Sequence, residues 1–344
     1  MILKILVGVF LVLLAVATVE SQRFGYVISE ARAFVASPEG PGPQDIIEAG
    51  ISVDGTTTIL AAGDIADCDE RPGLADKLPT MMDFLGFDSA LDPATALANE
   101  TADLASDWPD TPILALGDTV YSKGRPAEYA HCFEPVWGAL KSRILPAPGN
   151  HEYRSPGAFG YYDYFGPQAG PDRRGWYAVR VPGWIILSLN SEVDASPGSP
   201  QSDWLRDRIG EAGDACILAF YHKPAHSLVE RDDREHAVDL FRQLQRGGAT
   251  LVLNGHNHFY ERTMPLGPSG APDAETGTVA FTVGTGGLTD DAAPKIETTE
   301  AAVFGRTGML RLELRDGAYS WGYVDALSRD VLDEGTASCN PMRE

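Results

Sequence analysis

The sequence predicts an α/β protein in which two sheets pack together with helices outside. Three observations carry that reading. Five short apolar runs each stop at a glycine, amide, carboxylate or imidazole. In the first half of the chain these runs alternate with helical stretches. Further strand-like runs then follow, the last two joined at Arg315-Asp316-Gly317, an Asp-Gly hairpin signal. Alternation followed by a succession of strands suits two packed sheets with helices on the outer faces.

The chain has 344 residues, 44% hydrophobic and 22% charged. That is enough for a substantial core, and one domain, alone or with an appendage, is expected. Residues 1–20 carry Lys4, then no charge from Ile5 to Val19, then the small-x-small pattern Ala15-Val16-Ala17. This reads as a signal peptide or as an uncleaved N-terminal anchor, and either places the domain in a secreted or extracytoplasmic setting. Residues 21–55 form a lead-in rich in glycine and proline, and 56–340 form the main domain.

Within the main domain the first strand is expected at Thr56–Ala62. An acidic, irregular stretch over 69–92 and a helix over Pro93–Trp108 follow. A second strand precedes a loop and helix at Tyr121–Lys141, and a third leads to a Tyr-, Gly- and Pro-rich loop at Tyr153–Gly175. Trp176–Val181 and Trp184–Leu189 are strands joined by Pro182-Gly183. A helix is expected at Ser202–Glu211, capped by Ser202, and another at Glu235–Gln245, ended by Gly247-Gly248. Strands at Thr250–Leu253, Thr278–Val283, Met309–Leu314 and Tyr319–Asp325 complete the chain.

Net charge is 27 − 49 = −22. Nucleic-acid phosphates would be repelled, while a bound metal could still attract a small anion. A membrane partner is expected only if the N-terminal segment stays uncleaved, and no oligomeric state is specified. Cys68, Cys132, Cys216 and Cys339 suit an oxidising compartment. Four cysteines allow three connectivities, and spacing does not choose among them. Cys68 and Cys132 follow neighbouring strand ends, whereas Cys216 opens a strand and Cys339 lies near the end of the chain. Cys68–Cys132 and Cys216–Cys339 are therefore the expected pairs. Asn99-Glu100-Thr101 matches a glycosylation sequon.

The chemistry lies where the apolar runs stop. Leu251–Leu253 leads to Gly255-His256-Asn257-His258. In an extended segment residues i and i+2 face the same way, so both imidazoles can address one object. Ile59–Ala62 leads to Gly63-Asp64, and Ile113–Leu116 to Gly117-Asp118. Ile144–Pro148 leads to Gly149-Asn150-His151, and Cys216–Tyr221 to His222. Open α/β sheets place ligands at the carboxyl ends of their strands, so these ends describe one site. Carboxylate, amide oxygen and imidazole together suit hard or borderline di- and trivalent ions. The donors exceed what one ion needs, so two ions sharing a carboxylate are expected, about 3.5–4 Å apart and bridging a nucleophilic hydroxide. His151 projects differently from Asn150 and is the candidate general acid.

Gly63-Asp64, Gly117-Asp118-Thr119-Val120-Tyr121, Gly149-Asn150-His151-Glu152, His222 and Gly255-His256-Asn257-His258 resemble the five blocks of the calcineurin-like metallophosphoesterases. Tyr121, with Ala66 in place of a histidine two residues after Asp64, resembles the purple acid phosphatase branch in a short, catalytic-domain-only form. The resemblance implies a four-layer α-β-β-α metallophosphoesterase sandwich, two mixed sheets flanked by helices. It implies Asp64, Tyr121 and His258 on a first ion, Fe(III). It implies Asn150, His222 and His256 on a second, a divalent Fe, Zn or Mn, with Asp118 bridging. The implied activity is hydrolysis of small-molecule phosphate monoesters, with diesters or nucleotides as the alternative substrates. A non-catalytic metal-binding extracellular protein is a third reading, since fold does not prove function.

His226 is a further catalytic candidate, as a phosphate contact; a surface loop histidine is the other reading. His131 and His236 read as solvent-facing helix-end residues. Asp67 reads as a loop former, Glu152 as a support behind the ligands, and Glu261-Arg262 as an ion pair or buttress. Gly284-Thr285-Gly286-Gly287 lacks the Lys-Ser/Thr of a phosphate loop and reads as a tight turn near the site. No Gly-x-Ser-x-Gly elbow is present, which leaves a serine hydrolase without a nucleophile.

Overall fold

A computed structural model describes residues 46–48, 55–68, 96–231 and 233–340. All of them belong to one compact unit. The segments 1–20 and 69–92 and most of the lead-in 21–55, on which expectations were placed above, lie outside the described residues.

The fold is the expected α-β-β-α sandwich. One sheet holds β1 (Ile46–Glu48), β5 (Tyr177–Val181), β6 (Trp184–Ser188), β7 (Cys216–Phe220) and β8 (Leu251–Asn254), then β10 (Val279–Val283), β9 (Tyr260–Thr263) and β11 (Thr299–Val303), in that order. The other runs β14 (Val331–Ser338), β13 (Ala318–Asp325), β12 (Gly308–Arg315), β2 (Thr57–Ala62), β3 (Ile113–Leu116), β4 (Ile144–Ala147). Strands β2, β3 and β4 are parallel, as are β6, β7, β8 and β10. Both sheets are therefore mixed, and the parallel strands of each end on a common edge.

Period-two alternation explains the layers. Leu218 and Phe220 of β7, and Leu251 and Leu253 of β8, face the other sheet beside Leu312 and Tyr323. Ile217, Ala219 and Val252 face outward, beneath α3 (Pro200–Gly210) and α4 (Glu235–Arg246). Burial on both faces is why these strands read as continuous apolar runs. The outer face of the second sheet is covered by α1 (Ala96–Ser106), to which Trp137 of the helical segment 126–143 donates at Ala98 O.

Three local expectations change. The α3 cap is Ser199, whose side chain accepts from Ser202 N at 3.3 Å. Pro200 takes the first helical position, where no N–H is needed, and Ser202 instead donates to Gln243 in α4. The stretch 153–175 is a string of helical turns including α2 (Phe159–Phe165), because Tyr161, Tyr162 and Phe165 bury their rings there. Segment 121–141 carries more helix than expected, running through 126–143. Both expected disulfides are present, with Cα separations of 5.8 Å for Cys68–Cys132 and 5.9 Å for Cys216–Cys339.

Candidate metal centre

The ligand-bearing loops leave β2, β3, β4, β7 and β8 at the shared edge. Asp64 and Asp118 are buried, at 0% and 2% exposed, and both have positive φ, 60° and 46°. Backbone bonds hold these turns. Asp64 N donates to Gly117 O at 3.0 Å, and His256 N donates to Asp64 Oδ2 at 2.7 Å. Glu152 ties the loops after β3 and β4 together. Its Oε2 accepts from Asp118 N (3.0 Å) and Gly149 N (2.7 Å), and its Oε1 from Thr119 N (2.8 Å).

Two half-sites emerge. In one, the Tyr121 hydroxyl donates to Asp64 Oδ1 at 2.7 Å and lies 3.3 Å from His258 Nε2, itself 3.4 Å from Asp64 Oδ1. In the other, His222 Nε2 faces Asp118 Oδ2 (3.1 Å), Asn150 Oδ1 (3.1 Å) and His256 Nδ1 (3.2 Å). Asp118, His222 and His256 bring their donor atoms within 4.8 Å of one another.

The second half-site tests whether a metal ion fits. His222 Nδ1 lies 2.9 Å from Leu116 O, a pure acceptor, so Nδ1 carries a hydrogen and Nε2, once a proton there is displaced, offers a lone pair. That lone pair meets a carboxylate oxygen, an amide oxygen and a second imidazole nitrogen. A proton can serve only one such contact at a time, whereas a cation serves all of them. The electrostatics agree. Burial pushes Asp118 up, yet the charge of His222, its hydrogen bond and the charge of His151 outweigh it, holding the carboxyl below the usual range. Burial pulls His222 down, but Asp118 and Asp64 outweigh that and raise it to about 10. The cluster is thus built to hold positive charge, and the residues present fit a pair of metal ions.

His151 stands at the rim, 15% exposed at its side chain, with Nδ1 2.9 Å from Ser122 O and Nε2 3.9 Å from Asp118 Oδ2. Its ring lies against Tyr121, centroids 4.2 Å apart.

A calcineurin-like phosphoesterase model matches residues 57–260. The chain belongs to that family. Among relatives of this calcineurin-like phosphoesterase is a protein of Arabidopsis thaliana named probable purple acid phosphatase 20. It is 26% identical over 160 residues, 39% of this chain and 38% of that one. Another, from Rhodococcus erythropolis, is named a probable cyclic nucleotide phosphodiesterase, 25% identical over 187 residues, 49% of this chain and 59% of that one. A purple acid phosphatase from yellow lupin seeds shares the fold, with TM-score 0.66 at 16% identity, over 87% of this chain and 55% of that one. The chain thus spans less than two thirds of each of these proteins.

The structure brings Asp64, Asp118, Tyr121, Asn150, His151, His222, His256 and His258 together in one cluster. His226 lies elsewhere. Its ring packs edge-on against Phe241 of α4, centroids 4.9 Å apart, and its Nε2 is buried without a hydrogen-bond partner among the described residues. Burial, then Arg234 and Arg242, pull it down to about 4. The chain after His222 directs this side chain into the helix layer and away from the cluster around His222 Nε2.

Glu261 and Arg262 do not pair with each other, since neighbours on a strand face opposite ways. Glu261 accepts from Ser227 Oγ at 2.7 Å, and Arg262 reaches Asp333 at 2.8 Å. Gly284–Gly287 does turn beside the site, with Gly286 N donating to Gly63 O at 2.8 Å. Asp290, which no motif singled out, contacts His258 from behind, its Oδ1 3.3 Å from Nδ1.

Proposed function

We propose that the chain is an acid-phosphatase-like, metal-dependent hydrolase of phosphate monoesters. The observation that carries this reading is the convergence of lone-pair donors around His222 Nε2 beside the Asp64–Tyr121–His258 group. Asp64, Tyr121 and His258 would hold one ion, Asn150, His222 and His256 the other, with Asp118 between them. The first group combines a carboxylate with a phenol, hard oxygen donors suited to a trivalent ion, Fe(III). The second is neutral apart from Asp118 and suits a divalent Fe, Zn or Mn. Bound there, the ions supply an activated water and neutralise phosphate oxygens.

The chain's own residues do the rest. Asp118 and Glu152 hold the loops that set the ligand spacing. With Nδ1–H donating to Ser122 O, His151 would take up a transferable proton at Nε2, the nitrogen 3.9 Å from Asp118 Oδ2, and because burial lowers its pKa that form is favoured at acid pH. Two disulfides among the described residues support an extracytoplasmic setting.

A second reading, diester or nucleotide hydrolysis on the same site, is favoured by the similarity to the Rhodococcus protein. Hydrolysis of a chromogenic monoester beside a diester, each with and without chelator, tests both. Chelator-sensitive turnover faster on the monoester is expected. A diester preference selects the second reading, and turnover unaffected by chelator, or none after metal loading, removes both.

A further inference from the structure

We propose that Asp290 is a positioning residue that sets the ring of His258 and strengthens the half-site of Asp64 and Tyr121. The proposal rests on the two-ion reading above. Asp290 grips His258 at three points. Its N–H donates to His258 O at 2.7 Å, its Oδ2 accepts from His258 N at 3.1 Å, and its Oδ1 lies 3.3 Å from Nδ1. A carboxylate beside Nδ1 draws the ring hydrogen to that nitrogen. The Nε2 lone pair is then left facing Asp64 Oδ1 and the Tyr121 hydroxyl, 3.4 and 3.3 Å away.

The other two imidazoles lack such backing. His222 Nδ1 is held by the neutral carbonyl of Leu116, and the outward nitrogen of His256 has no hydrogen-bond partner among the described residues. Among the described residues, only His258 of the three has a carboxylate oxygen within hydrogen-bonding distance of its far nitrogen, Asp290 Oδ1 at 3.3 Å. A negative charge on the far nitrogen makes an imidazole a stronger donor, and losing such a partner typically costs 10–100-fold in metal affinity. Asp290 thus adds a further negative charge behind the half-site that already holds Asp64 and Tyr121. It widens the difference between that half-site and the one built on Asn150, His222 and His256. Asp290 comes 32 residues after His258 and reaches it through the turn at Gly284–Gly287, whose glycines bring the chain against Gly63.

The test is titration of metal-free protein with Zn²⁺ against a chromogenic chelator. It is run on wild type, Asp290→Asn and Asp290→Ala, with thermal unfolding of each metal-free form. Asparagine keeps the size and the backbone contacts and removes the charge. Asp290→Asn is expected to weaken one of two Zn²⁺ equivalents by about 10–100-fold and leave the other unchanged, with the unfolding temperature of wild type. Asp290→Ala is expected to weaken the same equivalent at least as much. Wild-type affinities in Asp290→Asn, or equal weakening of both equivalents, would overturn the proposal and make Asp290 a loop brace. Wild type taking up one equivalent would defeat the two-ion reading. Asp290 would still be judged by whether that equivalent responds to Asp290→Asn.

Discussion

Gly117→Ala should displace His222, a proposed metal ligand, without substituting it. Gly117 ends β3 with φ 84°, and a methyl there would lie 2.6 Å from His222 Nδ1. Ordinary contact begins at 3.4 Å, so the ring must retreat by 3.4 − 2.6 = 0.8 Å. That nitrogen is the one bonded to Leu116 O at 2.9 Å, so the retreat costs the bond. Alanine at positive φ costs roughly 1–3 kcal/mol and the lost bond about 1, so about 2–4 kcal/mol in all. Gly198 supplies the control. Its φ is 91°, and a methyl there meets nothing within 4 Å among the described residues. Gly198→Ala therefore carries the backbone strain alone. Urea unfolding of the metal-free proteins should rank wild type above Gly198→Ala above Gly117→Ala. Metal titration should separate them more sharply, because a ligand misplaced by about 1 Å can cost on the order of 10²-fold in function. Gly198→Ala should bind as wild type, and Gly117→Ala should lose affinity at the His222 half-site. If both variants bind metal alike, His222 is not held by the glycine turn and the geometric argument fails.

Three further outcomes are expected. His151→Ala should lower kcat by roughly 10²–10⁴ on esters of poor leaving groups, with metal content by elemental analysis unchanged; loss of metal would mean that His151 is a ligand. Iron-loaded protein should absorb in the visible through a Tyr121 phenolate, and Tyr121→Phe should abolish the band; a colour that survives the substitution removes the phenolate. The third concerns acid stability and His226, which burial, with Arg234 and Arg242, pulls down from the ordinary 6.5 to about 4. A histidine depressed in the fold stabilises fully above about 6.5, and that contribution fades as pH falls towards 4, because the unfolded chain takes the proton first. His226→Leu should flatten the stability profile between those values in chemical denaturation, and an unchanged slope would mean that His226 is solvated.

The fold was legible where period-two burial and strand length coincide. β3, β7 and β8 are buried throughout and β2 at every residue but Thr58, and the apolar runs Ile59–Ala62, Ile113–Leu116, Cys216–Phe220 and Leu251–Leu253 are unbroken. β11 and β14 are sheet edges with partly exposed residues, and their sequences Thr299–Val303 and Val331–Ser338 carry no comparable run. Their pairing is set by neighbours distant in sequence, which no local pattern records. The cap at Ser199 was missed by three residues because Ser202 offers the same chemistry; Pro200 at the first helical position and the partner Gln243 in α4 distinguish them. His226 looked like a site residue by its closeness to His222 in sequence. One turn of chain is enough to send it into a different layer. Asp290 was invisible for the converse reason, since its role depends on a loop returning to His258 from another strand.

The ligand blocks were legible for a deeper reason than composition. Asp64, Asp118 and His256 are non-glycine residues at φ 60°, 46° and 71°, and each follows a glycine. Such conformations cost of order 1–3 kcal/mol each and persist only where the surroundings impose them. Here each strained residue has its N–H held: Asp64 by Gly117 O, Asp118 by Glu152, His256 by Asp64. The bonds run from one ligand loop to the next, so the loops turn inward together. A strand that simply ended would leave its last side chains pointing along the sheet's two faces. Turning the next residue back over the edge requires the positive φ, and the preceding glycine lets the backbones pack closely enough to hold it. The Gly-Asp and Gly-His pairs are therefore the sequence's trace of that strain. Their recurrence at several strand ends is what a shared site at the sheet edge demands.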